Sequence, residues 1–133
     1  MTSQFNARIL VVEDYPLNQE LAKQMLEKMD CEVDFASTGN KAIELVNDID
    51  FDLIFMDIQI PDMDGYQLTD IIRRKEKEKQ NQQIPIIALT ANALTGDKEK
   101  CLEAGMDDYV SKPFETSDLE AILLKYIPHL IVQ

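Results

Sequence analysis

Positive charge is scarce in this chain: 13 lysines and arginines stand against 25 aspartates and glutamates in 133 residues, a formal net charge of −12. That balance repels phosphodiester backbones and anionic lipid, so nucleic-acid binding would need a concentrated basic patch. The densest cationic run, Arg73 to Lys79, is interleaved with Glu76 and Glu78 and supplies none. Long hydrophobic runs are missing as well. The longest, such as Ile9 to Val12, reach only about a fifth of the ~20 residues that a membrane span requires. Met1 to Ala7 has no basic segment ahead of an apolar stretch, so no leader is expected. A cytoplasmic domain without membrane contact is the expectation. Cysteine is sparse: Cys31 and Cys101 lie on different predicted elements with neither a CxxC pair nor metal-ligand spacing, which leaves two reduced thiols without chemistry. The single histidine, His129, follows Pro128 near the tail and is expected to be exposed and inert.

What is present is an ordinary globular composition, with 45% apolar residues, in a chain long enough for one domain that buries roughly two-thirds of its unfolded surface. Five β-branched or apolar segments read as buried parallel strands: Arg8 to Glu13, Glu32 to Ala36, Leu53 to Asp57, Ile86 to Thr90 and Asp108 to Ser111. A helix signal follows each. The first helix opens at Pro16, with Leu17, Leu21, Met25, Ala22, Leu26 and Met29 expected on one apolar stripe. The second runs from about Asn40 to Asp48, with Ile43 and Val46 inward. The third uses Leu68, Ile71 and Ile72 and then dissolves into the polar run Lys75 to Gln83, read as a solvated helix end and loop. The fourth covers about Thr95 to Ala104 and stops at Gly105. The fifth begins at a capping-box pattern, Ser117 with Glu120, and carries Leu119, Ile122, Leu123, Tyr126 and Ile127 at helical spacing.

Alternating strands and helices with short connections imply an α/β fold, a doubly wound parallel sheet with helices on both faces. Ligands of such sheets sit beyond the carboxyl ends of the strands. The residues there are Glu13 and Asp14 after the first strand, Asp57 after the third, Thr90 after the fourth and Lys112 after the fifth. The second strand ends in Ala36, Ser37 and Thr38 and is assigned no part in the pocket. Three converging carboxylates repel one another unless a proton or a divalent cation intervenes. An all-oxygen cluster suits Mg²⁺ or Mn²⁺. Thr90 adds a hydroxyl donor and Lys112 a mobile positive charge, so the group makes a seat for a phosphoryl group. One carboxylate would then act as nucleophile and become an acyl phosphate, and the central position of the third strand favours Asp57. Asp62 and Asp64 read as turn formers before the third helix.

The segments ILVVED (Ile9 to Asp14), IFMDIQIPDMDG (Ile54 to Gly65), ALTANAL (Ala88 to Leu94) and EAGMDDYVSKPF (Glu103 to Phe114) together resemble the receiver domain of two-component response regulators. The resemblance runs from about Arg8 to Ile127 within one domain spanning residues 1–133. It implies a flavodoxin-like sheet of five strands in the order 2-1-3-4-5 with five helices. It also implies that Asp57 accepts a phosphoryl group from a phosphohistidine on a histidine kinase or histidine phosphotransfer protein. Asp14 would bind Mg²⁺ directly and Glu13 through water, with Asp57 and the backbone carbonyl of Gln59 completing the ligands. Lys112 would pair with the phosphoryl oxygens and Thr90 would hydrogen-bond one of them. Thr90 and Tyr109 would form the switch that reshapes the face built by the fourth helix, fifth strand and fifth helix. Gln59 and Asn92 would tune the lifetime of the phosphoryl group, and Lys112-Pro113 would be a cis peptide. Such a domain is a signalling phosphoacceptor that catalyses only its own phosphorylation and dephosphorylation.

Three other readings compete. A Mg²⁺-dependent nucleic-acid enzyme could use Glu13, Asp62 and Asp64, but the net charge opposes it and Thr90 and Lys112 are left without a joint role. An aspartyl phosphatase would need an acid two residues after the nucleophile, where this chain has Gln59. A flavodoxin-like cofactor binder needs a phosphate-cradling loop where Glu13 and Asp14 stand. The stretch from ALTANAL through GDKEKCLEAGMDDYVSKPF, with Asn18-Gln19 after the acidic pair, is most similar to receivers attached to hybrid sensor histidine kinases. Tyr15 and Pro16 depart from the usual polar residues of that loop.

Overall fold

In the computed structural model, which describes residues 2–91 and 98–132, every apolar segment forms a strand. These are β1 (Arg8–Val12), β2 (Glu32–Ala36), β3 (Leu53–Asp57), β4 (Ile86–Thr90) and β5 (Asp108–Ser111). Glu13 falls just past the end of β1. All neighbouring strands are parallel, in the order β2-β1-β3-β4-β5. β3 and β4 are buried at every position, so their sequences are continuous apolar runs without alternation.

The helices are α1 (Pro16–Lys28), α2 (Gly39–Asp48), α3 (Gly65–Lys79), α4 (Lys98–Glu103) and α5 (Thr116–Tyr126). The period of two along each strand divides the core into two layers. Ile9, Val11, Leu53, Phe55, Ile87 and Leu89 meet Ala22 and Leu26 of α1 and Leu119 and Leu123 of α5 on one face. Leu10, Val12, Ile54, Met56, Ile86 and Ala88 meet Ala42 of α2, Leu68 and Ile72 of α3, and Cys101 of α4 on the other. Each such large side chain contributes about 1.5–3 kcal/mol by its burial.

Three expectations need correction. The apolar stripe of α1 is really two rows about 100° apart around the helix. Ala22, Leu26 and Met29 are buried against the sheet, whereas Leu17 and Leu21 remain 58% and 43% exposed. The polar run after Ile72 stays helical to Lys79, and it is not wholly solvated: Glu76 is buried. Its Oε1 accepts from Arg73 Nη1 at 2.8 Å and its Oε2 from the Ile84 N–H at 2.7 Å. Arg73 donates further to the Ile84 carbonyl, the Gly105 carbonyl and Asp107 Oδ2, the last at 2.9 Å. Asp107 in turn accepts from the Ile86 N–H. This node ties α3 to the entries of β4 and β5. Finally, α5 starts at Thr116, earlier than Ser117 as cap would allow. Asp118 accepts from the Glu115 N–H at 2.8 Å, and Glu120 is used elsewhere, accepting from the Ser3 N–H.

That last contact belongs to a clasp between the chain ends. Phe5 is fully buried and bridges antiparallel to Ile131, flanked by hydrogen bonds from Asn6 N–H to the Leu130 carbonyl and from Val132 N–H to the Gln4 carbonyl, both 2.8 Å. α4 ends at Glu103, and Gly105 two residues on marks the stop as expected, its φ of +103° being a conformation that glycine adopts without a Cβ penalty. The residues before Lys98 that were assigned to this helix lie outside those described.

Candidate functional site

Parallel strands deliver their carboxyl ends to one edge of the sheet. There Glu13, Asp14, Asp57, Gln59, Thr90 and Lys112 line a cavity of about 510 Å³. β3 lies between β1 and β4, which places Asp57 at the centre of that edge. A cavity of about 500 Å³ at the opposite edge is also lined by three acids, Asp50, Asp52 and Glu76, but among the described residues these do not gather into a group that could hold a metal ion. Among the described residues, Glu13, Asp14 and Asp57 form the one cluster of acidic or metal-ligating side chains, with a carboxylate oxygen of each lying within 4.8 Å of the others.

Two of the three acids are out of water. Glu13 is 1% exposed and Asp57 8%, while Asp14 is exposed. Lys112 Nζ bridges the buried pair, 2.7 Å from Asp57 Oδ2 and 3.1 Å from Glu13 Oε1. Asp57 Oδ1 accepts from the Gln59 N–H at 3.0 Å. Burial first, then the hydrogen bond and charge of Asp57, hold the Glu13 carboxyl above its ordinary range, with Lys112 acting the other way. Burial works to lower the Lys112 ammonium, but the hydrogen bonds and charges of Asp57 and Glu13 outweigh it and hold it above the usual lysine value. One lysine therefore faces three carboxylates, and the excess negative charge opens onto the cavity. The Lys112-Pro113 peptide is cis.

Glycine is required once in building this edge. A Cβ on Gly65 would come within 2.9 Å of the Asp57 carbonyl oxygen and of Ile58 Cα, so α3 can begin this close to the end of β3 only without a side chain. Asp64 caps α3, its Oδ1 accepting from the Gln67 N–H at 2.8 Å while Gln67 Oε1 accepts from the Asp64 N–H. Asp62 accepts from the N–H groups of Gly39 and Asn40. Glu13 is thus not joined by Asp62 and Asp64, and the grouping that a nucleic-acid enzyme would use is not assembled.

Thr90 is buried at the end of β4 and reaches the cavity. Tyr109 is half-buried on β5, packed against the α2–α3–α4 layer, with Lys98 Nζ 5.7 Å from its ring centre. Asn92 lies outside the described residues. Asn18 was given no role by the sequence, yet its Nδ2 donates to Glu13 Oε1 at 2.9 Å, and Gln19 Nε2 donates to the Glu13 carbonyl and to Ser37 Oγ. Their position on the first turn of the helix that follows the acid pair is the signal that could have identified them.

The family model of the response regulator receiver domain matches residues 9–124. The chain belongs to that family. This receiver is 43% identical over 120 residues to the signal transduction histidine-protein kinase BarA of Escherichia coli, covering 90% of the chain and 13% of the kinase. It is 40% identical to hybrid signal transduction histidine kinase L of Dictyostelium discoideum, covering 93% of the chain and 7% of that protein. The receiver thus spans about an eighth or less of these two curated relatives. Among solved structures, the receiver domain of sensor histidine kinase PA1611 from Pseudomonas aeruginosa superposes with a TM-score of 0.82 at 43% identity, covering 92% of this chain and 98% of that one. That structure has a magnesium ion coordinated in its active-site cleft. The receiver domain of Ssk1 from Saccharomyces cerevisiae, crystallised with the histidine phosphotransfer protein Ypd1, gives a TM-score of 0.85 at 29% identity and covers 95% of this chain and 90% of that one. The chain is a receiver domain of two-component phosphorelay signalling, with the five-stranded order and the likeness to hybrid-kinase receivers that its motifs implied. No helix among its described residues is long and apolar enough to cross a membrane.

Proposed function

We propose that Asp57 is the phosphoacceptor of this receiver and that its donor is a phosphohistidine on a histidine kinase or a histidine phosphotransfer protein. The observation that carries this reading is the setting of the Asp57 carboxylate: central, buried and open to the cavity, with one oxygen held by the Gln59 N–H and the other by Lys112. A carboxylate oxygen attacks phosphorus as the bond from phosphorus to the imidazole nitrogen breaks, and the imidazole keeps the electron pair. Lys112 follows the phosphoryl oxygens, and the Thr90 hydroxyl donates to one of them. Hydrolysis returns the carboxylate when water attacks phosphorus, so the domain acts only on its own phosphoryl group. Gln59 at the cavity rim, together with Asn92, sets how readily that water arrives.

The oxygen-only trio Glu13, Asp14 and Asp57, joined by the Gln59 carbonyl, fits Mg²⁺, and Mn²⁺ by the same chemistry. Bound there, the cation would neutralise the carboxylates and the charge of the incoming phosphoryl group. The magnesium-containing Pseudomonas relative supports this choice. Thr90 and Tyr109 serve as the switch that alters the α4–β5–α5 face, and the single domain spans residues 1–133, with its core at about 8–127, in a cytoplasmic protein. Tyr15, Leu17 and Leu21 are exposed on the β1–α1 side of the site and offer an apolar contact to the partner that carries the phosphohistidine. The yeast complex with Ypd1 supports a partner of that kind.

The test is phosphoryl uptake from a small acyl-phosphate donor. The purified chain should take up about one phosphoryl group, only with Mg²⁺, and Asp57→Asn should take up none. Undiminished labelling of Asp57→Asn would overturn the assignment.

A further inference from the structure

Asp62 lies in a turn-forming segment, and the phosphoacceptor chemistry leaves it without a task. Its geometry is more specific than a turn requires. Residues 58–64 form the loop that carries Gln59. Its first residues are anchored, the Ile58 N–H donating to the Leu89 carbonyl at 3.4 Å and Ile60 buried in the α2–α3–α4 layer, while the Gln59 to Asp64 bridge and the 2.7 Å bond from Gly65 N–H to the Ile58 carbonyl shape the loop internally. Among the described residues, Asp62 is the one side chain of the loop that hydrogen-bonds to an element other than the adjoining β3 and α3. Its Oδ1 accepts from the Gly39 N–H at 2.8 Å and its Oδ2 from the Asn40 N–H at 3.0 Å.

These are the first two N–H groups of α2, which have no acceptor within their own helix. The next two are met locally: Thr38 Oγ1 accepts from Lys41 and the Thr38 carbonyl from Ala42. Asp62 therefore completes the start of α2 from outside it, and in doing so fixes the loop to α2 through both carboxylate oxygens. Met63 reinforces the contact by lying over Gly39, where a Cβ would fall 2.5 Å from Met63 Sδ. The two N–H groups also hold the Asp62 carboxyl below its ordinary range, the Gly39 bond contributing most.

We propose that Asp62 is a positioning residue for the metal site: by tying loop 58–64 to the start of α2, it holds the Gln59 carbonyl in place beside Glu13, Asp14 and Asp57. The inference rests on the proposed role of that carbonyl as a ligand. Groups that orient a ligand without touching the metal commonly change affinity by 10-fold or more. Released from α2, the outer part of the loop would lose its support while Ile58 and Ile60 stay anchored, so the Gln59 carbonyl would be held less firmly and affinity would fall while the fold persists.

The experiment is calorimetric titration of the full, unphosphorylated chain with Mg²⁺, alongside the urea midpoint of each variant. Asp62→Ala should bind Mg²⁺ about tenfold more weakly while still unfolding cooperatively. Asp62→Asn keeps one acceptor oxygen for α2 but turns its NH2 toward the other N–H, so it should lose less Mg²⁺ affinity than Asp62→Ala. Equal Mg²⁺ affinity in Asp62→Ala overturns the proposal. A loss in Asp62→Asn as large as that in Asp62→Ala also overturns it, because the bond to α2 that Asn retains would then count for nothing. Absence of Mg²⁺ binding by the unmodified chain would instead overturn the metal reading on which the proposal depends.

Discussion

Two buried nodes, at opposite edges of the sheet, are built from nearly the same parts. At one, Arg73 meets Glu76 and Asp107; at the other, Lys112 meets Glu13 and Asp57, with Asp14 alongside. The difference lies in what closes them. The Arg73 guanidinium also bonds two backbone carbonyls, and the acids opposite it accept backbone N–H groups from Ile84 and Ile86. Its fork geometry leaves little room for another partner. Lys112 is a point charge on a flexible stem, outnumbered by carboxylates that look into a cavity of about 510 Å³. A closed node holds helices and strands together, while an open one is left to bind something.

The contrast breaks if the two cations can be exchanged in their effects. Arg73→Ala strands Glu76 in the interior and should cost about 3–5 kcal/mol of stability in urea unfolding, with phosphoryl uptake per folded molecule retained. Lys112→Ala should do the reverse. Its carboxylates can take up protons or a cation from the cavity, so stability falls less, but the rate of phosphoryl uptake should drop about a hundredfold. A larger stability loss at Lys112 than at Arg73 would erase the distinction between closed and open.

Magnesium sharpens the comparison at a smaller scale. At ten times its dissociation constant, Mg²⁺ should raise the unfolding free energy by about 1.4 kcal/mol. Asp14→Asn should remove most of that gain, whereas Arg73→Ala should keep it. Measurement is again by urea midpoint, with and without the metal.

A last effect concerns a buried titratable group away from both nodes. Burial, then the charges of Asp30 and Asp52, push the Cys31 thiol up from 9.0 to about 11. Its folded pKa is raised, so between about pH 9 and pH 11 the unfolded chain loses this proton while the folded chain keeps it. Stability should decline as pH rises through that window. Cys31→Ala should flatten the decline, read as a shallower loss of urea midpoint with pH, and an unchanged slope would count against the thiol's burial.

The open node was legible in the sequence and the closed one was not, for a physical reason. In a parallel sheet the site residues are those that end apolar runs, so Glu13, Asp57, Thr90 and Lys112 each announce themselves locally. Arg73, Glu76 and Asp107 are drawn together by tertiary packing, and Glu76 sits in a run of lysines that reads as solvent-exposed. The strand bounds could be read nearly to the residue because continuous apolar runs end abruptly. The faces of α1 could not, since Leu17 and Leu21 obey helical spacing without facing the sheet. The cap of α5 was misplaced because Ser117 and Glu120 match the pattern, although Glu120 is used by the chain's first residues.

The clasp between the chain ends has a mechanical consequence. Gln4 to Asn6 and Leu130 to Val132 leave the molecule at one corner, at the starting edge of β1. A pull on the amino-terminal segment is first borne by these hydrogen bonds, by the bond from Ser3 N–H to Glu120 and by the buried ring of Phe5. It must then pass along the whole of β1, about 16 Å at the rise of a parallel strand, before it reaches Glu13. A tether at this corner can tug or swing while the acid cluster, at the far edge, stays out of the line of force.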